Sequence, residues 1–353
     1  LVWDQGTLVY SMGGWAAPWG IEYRLDVLNA GMLVLVSGVA SLVILGTRSS
    51  VLSEIPANRH GLFFTCWILC LTGLLGISIT GDAFNVFVFL EVSSLSTYAL
   101  VAMGRDPRAL TASFRYLIMG TIGATFILIG IGLLYMMTGT LNMLDLSRRI
   151  PDVSSTQTVR AAFAFLTVGI SLKLALFPMH RWLPNAYTYS PSAVSAFLAA
   201  TATKVALYLL LRFFFTIFGV EFSYGEMGLN KVLGFMSLLA MVGASLSAVF
   251  KMNAKRILAY SSVAQIGYMT FAVSLGTQDG LAAGMLHMFN HALMKGCLFL
   301  AMGAIVLRIG CARGVNIAGV GRKMPWTCGA FIVGALSLIG VPGTAGFVSK
   351  WHL

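Results

Sequence analysis

Apolar stretches of about 20 residues recur along this 353-residue chain, and they restrict its fold more than any other feature. A helix of that length crosses the hydrocarbon core of a bilayer, which is about 30 Å thick. Only 10% of the residues are charged and 58% are hydrophobic, whereas a soluble domain has about 25% charged residues. The pattern excludes a soluble domain and predicts an all-α polytopic membrane protein with about ten transmembrane helices. The stretches are 27–47, 61–79, 83–103, 114–137, 161–177, 191–211, 232–250, 257–276, 281–307 and 327–353.

The net charge of +11 comes mostly from loops that would share one side of a membrane if every stretch crosses it. Cytoplasmic loops are enriched in lysine and arginine, so this side is predicted to be inside and the N-terminus outside. The charge is then a topology signal, and we predict a lipid bilayer, and no nucleic acid, as the partner. The basic residues of these inside loops are Arg48, Arg59, Arg105, Arg108, Arg115, Arg181, Lys251, Lys255, Arg256, Arg308, Arg313, Arg322 and Lys323.

Segments outside the spans add little chemistry. Residues 1–24 form a polar outer-side segment rich in tryptophan and glycine, and residues 141–150 have the spacing of a short surface helix lying on the membrane. No CxxC pair occurs among the cysteines, which we interpret as reduced packing residues. No metal site and no cofactor are predicted. The cysteines are Cys66, Cys70, Cys297, Cys311 and Cys328.

Two of the apolar stretches are interrupted in a similar way. Pro178 and Pro184 interrupt the fifth stretch, and Pro342, Gly343 and Gly346 interrupt the tenth. Proline removes a backbone donor and glycine loosens the helix, so each break frees carbonyls at membrane depth. Interrupted helices in corresponding halves are typical of transporters built from inverted repeats, with their sites at the breaks. Ordinary proline kinks are the alternative.

Five ionisable residues lie in or beside these stretches. A charge in the bilayer centre is costly, so Glu91, Lys173, Lys204 and Lys295 are candidate functional residues. Burial disfavours the charged form of a lysine, which makes each lysine a candidate proton acceptor, and a nearby carboxylate opposes that effect. The alternatives are a structural ion pair for Lys173 and a protonated, hydrogen-bonded Glu91. Lys350 is either the last member of the row or a flanking lysine that reaches the interface.

His287, His291 and Lys295 recur at i, i+4 and i+8, which places them on one helical face. A histidine pair at this spacing can bind a metal, but neither a third ligand nor an HExxH glutamate accompanies it. A proton relay is the better interpretation, because histidine titrates near neutral pH. Histidines that only bond neighbouring helices are the alternative.

Several motifs occur together in one order: GDAFNVFVFLEVSSLSTYALVAMG (81–104), KLALFPMHRWLPNAY (173–187), KRILAYSSVAQIGYM (255–269), HMFNHALMKG (287–296) and VPGTAGFVSK (341–350). They resemble the antiporter-like subunits shared by Mrp-type cation/proton antiporters and respiratory complex I. GGWAAPWGI and TGTLNMLDL are most similar to the D subunit of the Mrp antiporters. The resemblance implies one proton-translocating domain over 1–353 on a template of about fourteen helices. The first inverted repeat would cover 83–211 and an incomplete second one 232–353. On that template the chain lacks the first two helices and ends inside the twelfth.

The resemblance also assigns roles. Glu91 matches the acid of the fifth helix, Lys173 the base of the broken seventh, and Lys204 the connecting lysine of the eighth. His287, His291 and Lys295 match the polar positions of the eleventh helix, and Lys350 the exit position of the twelfth. The implied function is proton translocation in a hetero-oligomeric Mrp-type Na⁺/H⁺ antiporter of the bacterial plasma membrane, through a subunit that is not itself an enzyme. The alternative is a proton-pumping subunit of a complex I-like or hydrogenase-type redox complex.

Overall fold

The computed structural model describes residues 2–310, 312 and 318–353. The predictions that involve Cys311 and Arg313 therefore lie outside the described residues. Within the described part of the chain, nine helices are long and apolar enough to cross a membrane, which confirms an all-α polytopic membrane protein. They are Val27–Gly46, Ala57–Ile79, Ala83–Ala102, Arg108–Thr138, Gln157–Tyr189, Ser192–Ile217, Leu229–Val249, Ala254–Ser274 and Gln278–Ile309. The tenth predicted stretch, 327–353, contains two shorter helices instead.

Several spans are assembled from more than one helical segment. The α-helices are α1 (Val2–Gln5), α2 (Val27–Gly46), α3 (Arg48–Glu54), α4 (His60–Ile79), α5 (Ala83–Ala102), α6 (Arg108–Thr138), α7 (Met143–Val153), α8 (Gln157–Leu174), α9 (Leu183–Tyr189), α10 (Ser192–Ala200), α11 (Ala202–Leu211), α12 (Leu229–Val249), α13 (Ala254–Ser274), α14 (Gln278–Ile309), α15 (Val320–Lys323), α16 (Pro325–Ile339) and α17 (Ala345–His352). Short 3₁₀ turns cover Met12–Gly14, Ala57–Arg59 and Met179–Trp182, and π-helical turns cover Arg212–Ile217 and Glu221–Glu226.

Glycines let the long helices pack closely. A Cβ built on Gly73 of α4 would lie 2.6 Å from the backbone nitrogen of Ser93 in α5, and one on Gly169 of α8 would lie 2.7 Å from the carbonyl of Gly123 in α6. Lipid gives helices no hydrophobic reason to associate, so small residues that allow close backbone contact stabilise such pairs. The pairs α4–α5, α6–α8 and α12–α13 are the most extensive helix contacts, and α14 packs against α10, α13 and α16.

Both predicted breaks are present. Helix α8 ends at Leu174, one residue after Lys173; Ala175 then takes a left-handed conformation (φ 61°), and Pro178 lies in the gap. Helix α16 ends at Ile339, and the turn that follows contains Gly340 (φ 92°), Pro342 and Gly343 (φ 87°). Two predicted break residues lie elsewhere, because Pro184 is in the first turn of α9 and Gly346 is in α17. Both therefore belong to the helices that restart after the breaks.

A third interruption was not predicted. Thr201 separates α10 from α11 with φ −120° and ψ −56°, although no proline or glycine occurs between Ser192 and Leu211. An 18-residue stretch of the span that contains it, Ser192–Ile217, is 94% buried inside the protein, so this span lies at the centre of the bundle. The sequence pattern carries no breaker at this point, and the kink results from packing.

The N-terminal segment closes one end of the bundle. Strands β1 (Leu8–Ser11) and β2 (Glu22–Leu25) form an antiparallel hairpin, which the sequence analysis did not predict. The surface helix predicted at 141–150 exists as α7, but Met143, Leu146 and Ile150 are buried against the protein and do not form a free membrane-facing surface. We call this end, where the hairpin precedes α2, the hairpin end.

The opposite end, which we call the basic end, gathers four of the predicted inside loops, and residues of all four line one cavity there. The Arg105 guanidinium donates a hydrogen bond to the carbonyl of Ser53, and the backbone nitrogen of Ala254 donates one to the carbonyl of Ala312 (2.8 Å). The loops that the positive-inside pattern assigned to one side therefore lie together. The division into inverted repeats and the orientation in the membrane remain predictions.

Candidate functional site

Glu91 and Lys173 form the first part of the predicted row. Glu91 lies on α5 and Lys173 in the last turn of α8, and their Oε1 and Nζ atoms are 4.0 Å apart. The Lys173 ammonium donates a hydrogen bond to Ser94 Oγ at 2.8 Å. Glu91 Oε1 is buried and has no hydrogen-bond partner among the described residues. The acid and the base thus face each other just beyond hydrogen-bond distance, which a small movement of either helix would change.

A small cavity adjoins Lys173 on the side of the central span. Its volume is about 40 Å³, and Lys173, Ser94 and Thr97 line it together with Ala202 and Ala206 of α11. A cavity of this size holds a water molecule when polar groups surround it. It lies between Lys173 and the helix that carries Lys204. No direct contact joins these two lysines among the described residues, so water is the link that the geometry offers.

Lys204 is fully buried in α11. Its ammonium donates to the carbonyl of Ala199, just before the Thr201 interruption, and approaches Thr203 Oγ1 at 3.4 Å. Among the described residues, no carboxylate forms an ion pair with it. Because interrupted helices free carbonyls, the unpredicted kink supplies an acceptor for this lysine.

Helix α14 carries the histidine and lysine face, and all three side chains are fully buried. His287 contacts Gln265 Oε1 through Nε2 (2.7 Å) and Ser349 Oγ through Nδ1 (2.9 Å). These contacts suit a neutral ring that donates on one side and accepts on the other. His287 thereby connects α14 to α13 and α17.

His291 and Lys295 continue this face. The His291 ring stacks on that of His287 at a centroid distance of 6.0 Å, but neither of its nitrogens has a hydrogen-bond partner among the described residues. The Lys295 ammonium donates to the carbonyl of Leu258 (2.8 Å) and to Ser261 Oγ (2.5 Å) on α13. His291 lies between His287 and Lys295 on this face of α14. The described residues contain no group of three or more histidine, cysteine, aspartate or glutamate side chains arranged to hold a metal.

Lys350 occupies the second break. Its ammonium lies 3.4 Å from the carbonyl of Ile339, the last residue of α16, and 4.8 Å from the ring centroid of Tyr268. The side chain is half-buried. Three lysines of the row, Lys204, Lys295 and Lys350, therefore donate to backbone carbonyls and not to carboxylates. A lysine held this way keeps its place whether or not it carries a proton.

The structure also shows polar residues that the sequence analysis missed or misplaced. Lys255 was assigned to an inside loop, but it lies in the first turn of α13 and is only 6% exposed. Asn253, which caps α13, is the sequence signal that places Lys255 on a helix. Near the hairpin end, Arg212 pairs with Asp26 and donates to Tyr208 Oη (2.9 Å). Arg212 comes directly after an apolar run, and nothing in that run predicts its distant partner.

A family profile described as NADH:quinone oxidoreductase/Mrp antiporter, transmembrane, matches residues 80–353. The chain belongs to this family. The N subunit of the NADH-quinone oxidoreductase of Desulforudis audaxviator is 43% identical over 346 residues, which make up 98% of this chain and 68% of that protein. The D subunit of the Na(+)/H(+) antiporter of Alkalihalophilus pseudofirmus is 30% identical over 352 residues, which make up 100% of this chain and 70% of that protein.

Two solved structures share the fold. The membrane-bound sulfane sulfur reductase, an archaeal respiratory membrane complex, matches with a TM-score of 0.90 and 34% identity over 99% of this chain and 71% of that chain. The Mrp complex from Dietzia sp. matches with a TM-score of 0.89 and 31% identity over 100% of this chain and 64% of that chain. The chain therefore resembles subunits of multisubunit membrane complexes and spans about two-thirds of their length. These findings confirm the resemblance that the motifs indicated.

The second break offers a structural prediction. A Cβ on Gly346 would lie 1.7 Å from the carbonyl oxygen of Ser337, where α17 folds back on α16. Gly346→Ala is expected to destabilise the assembled protein by about 1–3 kcal/mol, because overpacking forces backbone shifts. The melting temperature of the purified protein in detergent measures this. Gly329→Ala on α16 is the control, because nothing lies within 4 Å of its Cβ position. Equal melting temperatures for the two variants would contradict the packing of α17 on α16.

Proposed function

We propose that this chain is the proton-translocating membrane subunit of a multisubunit Mrp-type antiporter, which exchanges Na⁺ or another monovalent cation for protons. The observation that carries the proposal is a row of ionisable side chains, which runs from Glu91 and Lys173 through the fully buried Lys204 and α14 face to the half-buried Lys350. Each charge inside a membrane costs about 2.5–3.5 kcal/mol or more, so a row of such residues is typical of a pathway for ions or protons. The similarity to D subunits of Na(+)/H(+) antiporters supports the choice of complex.

Lys173 is proposed to bind a proton when Glu91 is close and to release it when Glu91 withdraws. The 4.0 Å separation of the two groups is short enough for a strong charge interaction and leaves room for movement. Water in the cavity beside Lys173 then passes the proton toward Lys204. From there it moves through His291, with His287 and Lys295 on the same face, to Lys350. Lysine amines and neutral imidazoles each accept one proton and release it again.

The other subunits of the complex are proposed to complete the cation pathway. A sodium site needs several oxygen ligands, and the row on this chain has a single carboxylate, Glu91. We therefore place the cation site on, or shared with, a partner subunit. The proposed location is the bacterial plasma membrane, with the hairpin end outside. The chain itself is proposed to carry no redox chemistry.

A second candidate function is proton pumping in a complex I-like or hydrogenase-type redox complex. The specific observation in its favour is the 43% identity to the N subunit of an NADH-quinone oxidoreductase, together with the fold match to a sulfane sulfur reductase complex. The same row would then move protons, and electron transfer in partner subunits would drive them.

One experiment separates the two candidates. Inverted vesicles that contain the whole complex are given a pH gradient, and the collapse of that gradient is followed after addition of Na⁺, K⁺ or a redox substrate. Collapse on cation addition, lost in Glu91→Ala and Lys173→Ala variants that still assemble, is the expected result for the antiporter. If cations have no effect but a redox substrate generates a gradient, the redox-driven function replaces it. If neither treatment moves protons through the wild type, proton translocation itself is wrong.

A further inference from the structure

A buried lysine outside the predicted row lies at the basic end. Lys255 is 6% exposed, and its ammonium donates a hydrogen bond to Ser192 Oγ at 3.1 Å. A lysine that served only as a topology signal would reach into water, because long charged side chains normally extend their heads to the interface. Lys255 is instead buried and bonded to Ser192 of α10, so its burial calls for another explanation.

Glu54 is the carboxylate that shares Ser192 with Lys255 as a hydrogen-bond partner. It is the last residue of α3; its Oε2 accepts from the backbone nitrogen of Ser192 (2.8 Å) and its Oε1 accepts from Ser50 Oγ (2.5 Å). The hydroxyl of the same Ser192 accepts a hydrogen bond from Lys255 (3.1 Å). Ser192 therefore joins the acid and the base, with its backbone bonded to one and its hydroxyl to the other. This is a second acid–base pair, distinct from Glu91 and Lys173.

A polar cavity of about 450 Å³ adjoins the pair. Its lining includes the exposed side chains of Arg105 and Arg108 as well as Glu54 and the buried Lys255. Since a water molecule occupies about 30 Å³ in the liquid, the cavity has room for several. It therefore offers water a route from the surface of the basic end to Lys255.

The remaining acid in this cavity is already neutralised. The Arg108 guanidinium donates hydrogen bonds to both carboxylate oxygens of Asp106 and so lowers the pKa of that loop carboxyl. Glu54, in contrast, accepts its hydrogen bonds from uncharged groups in the described part of the chain. Of the two cavity carboxylates, Glu54 is therefore the one suited to proton exchange.

Two helices connect this pair to Lys295. On α13, Lys255 precedes Leu258 and Ser261, the two partners of the Lys295 ammonium, by about 4.5 and 9 Å of helical rise. On α14, Gly303 faces Ser192, with its Cβ position 3.0 Å from Ser192 Cβ, and it lies about 12 Å along the helix from Lys295. Along α13, Lys255 thus lies about one to two turns from the partners of Lys295, and along α14, Ser192 lies about two turns from Lys295, both on the side of the basic end.

We propose that Glu54 and Lys255 form the proton-exchange site between water at the basic end and Lys295 of the row. This inference rests on the proposed function. In one step, the Lys255 ammonium loses a proton as the Lys295 amine gains one through intervening water. Lys255 then regains a proton from water in the cavity, with Glu54 as the carrier. Only protons move, so no other reactant is needed.

Arginine replacement tests this directly, because arginine keeps the charge but does not release its proton in proteins. Lys255→Arg and Lys255→Met are each expected to slow proton transport by at least about ten-fold in vesicles that contain the whole complex. The amount of assembled complex is expected to stay normal. Lys323→Arg and Lys323→Met are the matched controls, because Lys323 is exposed near the same end, and they are expected to transport normally. A wild-type rate for Lys255→Arg would overturn the proposal, since a fixed positive charge at this position would then be sufficient for proton transport.

Glu54 variants decide the matter if the Lys255 variants do not assemble. Glu54→Gln still accepts a hydrogen bond from Ser192 but carries no proton, whereas Glu54→Asp keeps a carboxyl. Slow transport for the first with near-normal transport for the second supports the exchange site, and normal transport for Glu54→Gln refutes it. Lys173→Met in the same vesicles separates the two proposals. If that variant is inactive while the Lys255 and Glu54 variants are normal, only this inference fails; an inactive wild type defeats the proposed function.

Discussion

Replacing Lys173 with methionine is expected to reduce proton transport by the assembled complex by about 100-fold or more, because a positioned proton acceptor contributes at least that much. Lys173 is buried beside Glu91 and bonded to Ser94, and no other lysine contacts that carboxylate in the described part of the chain. Proton uptake into inverted vesicles, normalised to the amount of complex, measures the effect.

Two further variants show whether the proton or only the charge of Lys173 matters. Lys173→Arg keeps a positive charge near Glu91 but does not exchange its proton, so it is expected to be nearly as slow as the methionine variant. Lys231→Met, on the exposed side of α12, is the control and is expected to transport normally. If Lys173→Arg transports like the wild type, Lys173 is a structural ion-pair partner, which is the alternative that the sequence left open.

His291→Leu is expected to separate stability from function. The buried imidazole has no hydrogen-bond partner in the described structure, and leaving a buried polar group unpaired costs about 1–3 kcal/mol. An apolar side chain of similar size removes that cost, so the melting temperature is expected to stay the same or to rise. Proton transport is expected to fall at least about ten-fold, because the central proton acceptor of the row is lost.

The matched control for this variant is His352→Leu, at the exposed end of α17. It is expected to change neither the melting temperature nor transport. If His291→Leu transports normally, His291 is a packing residue and the relay must bypass it. If the variant melts well below the wild type, the ring has a partner that stabilises it, and its role as an unpaired proton acceptor is wrong.

Much of the fold follows from one-dimensional patterns. Apolar length predicts where α2, α5 and α12 lie, and Pro178, Pro342 and Gly343 predict two interruptions. These features depend on neighbouring residues along the chain, so the sequence carries them directly. The kink at Thr201 has no such local signal. It arises where a span is buried on nearly every side, and the packing around it decides its shape.

The candidate site divides in the same way. Charge in an apolar stretch was enough to select Glu91, Lys173, Lys204 and Lys295 as candidates, because a charge at membrane depth is costly whatever the fold. Partners were not predictable, since Ser94, Gln265 and Ser349 approach from other helices. For Lys255, the sequence pattern misplaced the residue itself. It looks like a loop charge until Glu54 and Ser192, distant in sequence, cover it.

The residues alone therefore indicate a multi-pass membrane protein and its family, and they select the ionisable side chains that are candidates for carrying protons. These features can be recognised in the sequence because charged side chains and unpaired backbone groups are costly to bury in a membrane. The fold alone shows that Lys204, Lys295 and Lys350 bond to carbonyls while Lys173 faces a carboxylate. Those pairings depend on the distances between helices. Helix packing determines these distances, and no local sequence pattern predicts them.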